Sequence, residues 1–77
     1  MIKIYGKAWC GDCTRAKRFL DDNNIAYKYT DIGKETQYID YVLQVNSGQE
    51  KVPTIVFPDG TVLVEPTNQE LAEKLVG

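Results

Sequence analysis

Apolar and polar positions alternate at the start of the chain, where Ile2 and Ile4 flank Lys3 and Tyr5 follows. That two-residue period, in β-branched and aromatic residues, predicts a strand over 2–5, and residues 6–9 then read as a loop. From Gly11 the period lengthens: Cys13, Ala16 and Leu20 recur at i, i+3 and i+7. This is the narrow apolar stripe of a helix, closed by the turn-favouring pair Asn23-Asn24. Residues 25–32 return to strand character one helix-length after the first strand, which favours a crossover unit with parallel pairing. Tyr38, Tyr41, Val42 and Val45 again follow helical spacing and predict a second amphipathic helix over 34–45, with its two aromatics in the core. After a loop at 46–49, two short β-prone runs at 54–57 and 61–64 flank Pro58-Asp59-Gly60, which is hairpin chemistry. Thr67 with Glu70 makes a capping box ahead of Leu71, Ala72, Leu75 and Val76, a closing helix.

The order is therefore β-α-β-α-β-β-α, an α/β fold in a single domain over 1–77. Composition supports a folded chain, since 43% hydrophobic and 26% charged residues suit a globular domain rather than a disordered one. No apolar run approaches the roughly 20 residues of a membrane span, and the first residues lack the features of a signal peptide. The expected address is the cytoplasm, with no membrane partner. A net charge of -2 argues against a nucleic-acid binder. The charge is unevenly spread: residues 1–20 carry +4 and the remainder carries -6. Both cysteines lie in the positive part.

Those two cysteines, Cys10 and Cys13, in a chain without histidine, exclude most cysteine chemistry. A zinc site needs about four N or S ligands, so no metal is expected. A structural bridge across about four residues would contribute only ~2 kcal/mol, against ~4–5 kcal/mol for one closing a long loop. A two-residue spacer suits a reversible dithiol, in which one thiolate attacks and its neighbour resolves the mixed disulfide. The predicted helix places Cys10 at its N-terminus and Cys13 one turn inside. Unpaired amides and the helix dipole there favour an open, ionised sulfur at Cys10. Lys7, and more loosely Arg15, would add favourable charge, whereas Asp12 would oppose it. Trp9 stands beside the site.

Cys10-Gly11-Asp12-Cys13 followed by Thr14-Arg15-Ala16-Lys17, Lys7 three positions before the first cysteine, and Val52-Pro53-Thr54 heading the third strand together resemble the glutaredoxin branch of the thioredoxin superfamily. The resemblance covers essentially the whole chain. It implies a thioredoxin-like fold, a four-stranded mixed sheet flanked by three helices. It also implies a cis peptide between Val52 and Pro53 beside the dithiol, with the backbone of Val52 pairing to the substrate. The implied activity is thiol–disulfide exchange on protein disulfides, or on mixed disulfides with a small thiol. Cys10 and Cys13 would be catalytic, and Lys7, Trp9, Val52, Pro53, Thr67 and Asn68 would bind substrate.

Glutaredoxins commonly carry Pro-Tyr between the cysteines, where this chain has Gly11-Asp12, and Gly-Gly after the fourth strand, where it has Glu65-Pro66. They place acidic residues at the start of the last helix for the glutathione ammonium, and here Thr67-Asn68 carries no charge. Trp9, the Phe57-Pro58-Asp59-Gly60 turn and Pro66 look more like the mycoredoxin group, which serves mycothiol. Glutathione or mycothiol is thus expected as a cosubstrate, with no tightly bound cofactor. A flavoprotein reductase is a further candidate partner, and a monomer is expected. Alternatives from the same resemblance are a dedicated electron donor to ribonucleotide reductase and, as a dimer, an iron–sulfur carrier, against which Cys13 counts. A non-catalytic docking module using Tyr38, Tyr41 or the strand edge is disfavoured by the intact dithiol.

Overall fold

A computed structural model of the chain describes residues 1–76. Four strands form one mixed sheet in the order β2-β1-β3-β4. The central strand β1 (Ile2–Gly6) pairs in parallel with β2 (Tyr27–Asp31) and antiparallel with β3 (Thr54–Val56), which pairs antiparallel with β4 (Val62–Val64). Helix α1 (Gly11–Asp22) connects the parallel pair, α2 (Ile39–Val45) follows β2, and α3 (Asn68–Val76) closes the chain. The thioredoxin-like expectation is met in element order and in pairing.

Alternation along β1 sends its side chains to two separate cores. Ile2 and Ile4 pack with Ala16 and Leu20 of α1 and Leu71 of α3 on one face, while Tyr5 packs with Ile32 and Val42 on the other. A strand buried on both faces is stabilised by both layers, at about 1.5–3 kcal/mol for each large side chain removed from water. The predicted stripe of α1 is correct, because Cys13, Ala16 and Leu20 are all fully buried.

Two element starts and two side chains differ from expectation. Strand β2 starts two residues late because the Ile25 amide turns back to the Leu20 carbonyl at 2.9 Å, and Asn24 takes a left-handed φ of 57° to allow it. Those residues finish the helix instead of opening the strand. The second helix also starts late. The Asp31 carboxylate accepts from the Gly33 amide at 2.8 Å and the Asp31 carbonyl accepts from Lys34 and Glu35, making a turn. A 3-10 turn over Thr36–Tyr38 then leads into α2. Within that helix Val42 is buried and Tyr38 and Ile39 pack against it, but Tyr41 is 37% exposed and only its ring approaches Tyr5. Finally, Val76 was expected in the apolar face of the last helix and is exposed at the chain's end.

The capping box is present, with the Thr67 amide donating to Glu70 Oε1 at 2.8 Å and the Glu70 amide to Thr67 Oγ1 at 3.1 Å. The hairpin turn closes through Phe57 and Thr61, with Gly60 at φ 89° where a side chain would be strained. Asp59 accepts from the Thr61 hydroxyl and amide and from Lys74 Nζ at 2.6 Å, pinning the turn to α3. The Lys74 hydrogen bond, and then those of Thr61, hold the Asp59 carboxyl well below the usual carboxylate range. A depressed folded-state value means that the stabilisation is complete above the ordinary value of 3.8 and is lost as pH falls below it. The stability gap between the native chain and Asp59→Asn should therefore shrink in urea titrations run from pH 5 down to about pH 2; a pH-independent gap would contradict this.

Candidate active site

Strand β1 ends at Gly6, and the Cys10 amide bonding back to the Lys7 carbonyl at 3.1 Å tightens the following loop into the start of α1. Cys10 is the N-cap residue, in an extended conformation, and its Sγ accepts the Cys13 amide at 3.2 Å. Serine and aspartate usually fill this position, so a sulfur acceptor here receives the same orphan donor. The Cys10 thiol in turn points toward the Val52 carbonyl at 3.8 Å, across the loop that leads into β3, and the Val52–Pro53 peptide is cis. Two segments far apart in sequence thus meet at Cys10.

The sequence led to an open sulfur at Cys10, and this needs correction. Cys10 is only 9% exposed, because the loop before α1 and the Val52 segment close over it. Its hydrogen-bonding neighbours are nevertheless an amide and a carbonyl. Cys13 is fully buried behind it. Burial, and then the hydrogen bond with Cys10, push the Cys13 thiol up to about 12, so it stays protonated through the neutral range. Both residues are free thiols.

The charges around the pair are also arranged differently from the expectation. Lys7, read from the sequence as adding favourable charge at Cys10, places its Nζ 2.6 Å from Glu50 Oε1 and 5.5 Å from the centre of the Trp9 ring. Glu50 therefore offsets much of its charge. Asp12 is likewise countered by Arg15 at 3.4 Å, a solvent-exposed pair contributing little by itself. Arg15 does more through its other bonds, to Asn68 Oδ1 at 2.8 Å and to the Pro66 carbonyl at 2.9 Å, which tie α1 to the start of α3. Trp9 is 77% exposed beside the dithiol.

Of the residues singled out from sequence, Cys10, Cys13, Val52 and Pro53 come together, and Lys7 and Trp9 flank them. Thr67 and Asn68 lie at the far side of Arg15, their oxygens occupied by the Glu70 amide and by Arg15. Three residues escaped sequence reasoning. Glu50 lies in a loop with no periodic signal. Gly6 ends a strand like many glycines, and Tyr29 alternates with Lys28 and Thr30 like any strand aromatic. Only the packing shows that Gly6 and Tyr29 stand directly behind Cys13.

Among the described residues no group of three or more histidine, cysteine or acidic side chains could hold a metal ion, and no helix is long and apolar enough to cross a membrane. A surface depression lined by Thr14, Lys17, Arg18, Asp21, Asp22 and Tyr27 lies along the flank of α1 and includes neither cysteine.

A family profile described as glutaredoxin matches residues 2–63. A Mycobacterium tuberculosis protein that carries a provisional glutaredoxin name is 41% identical over 75 residues, covering 97% of this chain and 89% of that protein. Mycoredoxin 1 of Corynebacterium glutamicum is 30% identical over 74 residues, covering 96% and 91%. In three dimensions the chain is similar to a glutaredoxin from Archaeoglobus fulgidus, with a TM-score of 0.84, 25% identity, and coverage of 99% of this chain and 86% of that one.

Proposed function

This chain belongs to the glutaredoxin family of thiol–disulfide oxidoreductases, in its mycoredoxin-like part, and on that premise we propose that it reduces mixed disulfides between proteins and a small thiol through Cys10 and Cys13. The observation that supports this most directly is the N-cap position of the Cys10 sulfur, held by the Cys13 amide, with the second thiol buried one turn behind. Cys10, as thiolate, attacks the substrate disulfide; one S–S bond forms as another breaks, and the leaving sulfur departs as a thiolate. Cys13 then gives up its proton and attacks the Cys10 sulfur, closing the internal disulfide and releasing the second product. Alternatively a small thiol performs that release, which leaves Cys13 unused. Two electrons pass to the substrate, and two small thiols or a flavoprotein reductase return them.

Substrate contacts fall to the backbone of Val52, to Pro53 and to the exposed ring of Trp9, with Lys7 at the rim. Thr67 and Asn68 offer hydrogen bonds without charge at the start of α3, where a glutathione site would gain from an acid. That difference and the similarity to mycoredoxin 1 favour mycothiol as the cosubstrate. The chain acts as a single domain and a monomer in the cytoplasm.

The test is to oxidise the reduced protein with a small mixed disulfide, count its free thiols, and then offer glutathione, mycothiol, or thioredoxin reductase with NADPH. Both thiols should disappear into one internal disulfide, and mycothiol should restore them fastest. Persistence of both thiols would reject the oxidoreductase reading, whereas faster recovery with glutathione would reverse only the choice of thiol.

A further inference from the structure

The site holds one polar atom that the exchange reaction leaves without a task. The Tyr29 hydroxyl is buried and has no hydrogen-bond partner, and burying such a group unpaired is unfavourable. Its place is set by the sheet: Tyr29 pairs with Ile4 in the parallel register, next to the end of β1, where Gly6 has no side chain. A Cβ built on Gly6 would stand 2.6 Å from Cys13 Sγ and 3.1 Å from Tyr29 Oη. The sulfur and the hydroxyl thus border the same small space, which the missing methyl leaves open. Lys17, one turn after Cys13 on α1, places its Nζ over the same ring, 3.9 Å from the ring centre.

We propose that the Tyr29 hydroxyl is the donor for the Cys13 sulfur when that sulfur becomes a thiolate in the resolving step, which makes Tyr29 a positioning residue for resolution. The inference rests on the dithiol reading above. In the dithiol state Cys13 is a neutral thiol bonded to Cys10 and takes little from a further donor. When Cys10 is tied up in a mixed disulfide, Cys13 must lose its proton to water and carry charge within the fold before it attacks. An O–H donor that is already desolvated and borders the same space can turn to this charge once it forms, with no water to displace. The new bond joins the Cys13 and Cys10 sulfurs, the bond from Cys10 to the small thiol breaks, and that thiol leaves as a thiolate. Tyr29 keeps its proton throughout. Burial, and then the neighbouring Cys13, Asp31 and Cys10, push its phenol up to about 12, so it serves as a donor and not as a base. Of the charged groups near this space, Lys17 on α1 acts in the same direction as the hydroxyl, and Asp31, two residues along β2 from Tyr29, opposes it.

The experiment follows one turnover. Reduced protein is mixed with an aromatic disulfide that forms a Cys10 adduct on attack, and the coloured thiolate set free as Cys13 resolves that adduct is recorded against pH. Tyr29→Phe keeps the ring and the Lys17 contact and removes only the oxygen, so its thermal midpoint should not fall. The resolving rate at pH 7 should drop about tenfold, and the rise of that rate with pH should move to higher pH. Lys17→Gln should shift it in the same direction by less. A native rate and pH profile in Tyr29→Phe would overturn the proposal, as would a slower rate with the profile unmoved, which marks a merely structural effect. If the native protein releases no second thiolate until external thiol is added, the dithiol reading itself fails, an outcome distinct from both.

Discussion

Cys10→Ser should lower disulfide turnover by roughly a thousandfold or more, while Cys13→Ser should retain turnover of mixed disulfides when a small thiol is supplied. The asymmetry follows from position. Cys10 Sγ sits at the first turn of α1 with the Cys13 amide directed at it and the Val52 carbonyl across from it. Serine would keep that hydrogen bond, since it is a favoured N-cap residue, so the fold should be preserved. Its hydroxyl, however, is not ionised near neutral pH and cannot exchange with a disulfide. Cys13 is fully buried and protonated, so its one route into the chemistry is through the Cys10 adduct. Removing it blocks closure of the internal disulfide and leaves the first attack in place. Steady-state assays on a protein disulfide and on a small-thiol mixed disulfide separate the two. Undiminished activity in Cys10→Ser, or equal losses in both variants on the mixed disulfide, would contradict the assignment.

Gly6→Ala should be the most damaging single-methyl change to the site, destabilising the fold by about 2–3 kcal/mol and slowing resolution. The added carbon would meet Cys13 Sγ at 2.6 Å and the Tyr29 ring and hydroxyl at 3.1 Å. Real side chains do not tolerate the first distance. Cys13 is anchored to the buried face of α1 and Tyr29 to the centre of β2, so neither has slack to move. Gly11→Ala provides the contrast, because a Cβ there meets nothing within 4 Å and the position begins a helix. Alanine at Gly11 should leave stability unchanged or slightly raised. Urea unfolding of both variants checks the pair, and Gly6→Ala within about 0.5 kcal/mol of the native chain would show that the site is looser than its contacts imply.

Much of this was readable along the chain because the signals are local. The stripe of Cys13, Ala16 and Leu20 marks the buried face of α1 by spacing alone, and Thr67 with Glu70 marks the start of α3 by hydrogen-bonding type. Boundaries were less legible, since they depend on which backbone groups find partners. Ile25 reads as a strand residue until its amide is seen returning to Leu20. The 3-10 turn ahead of α2 exists because Asp31 uses its carboxylate and carbonyl to fold the next residues into a turn.

Sequence by itself determined the order of elements, the two-residue spacing of the thiols and the placement of Cys10 at a helix start, since each depends on residues within a turn or two of one another. Tertiary structure alone decided what surrounds those sulfurs: Glu50 on Lys7, Arg15 tied to Asn68, Val52 over Cys10, and Tyr29 with Gly6 behind Cys13. Those partners lie tens of residues away or on a neighbouring strand. Their contacts are products of strand register and helix docking, which no local pattern encodes, and the burial and charge of a thiol depend on them.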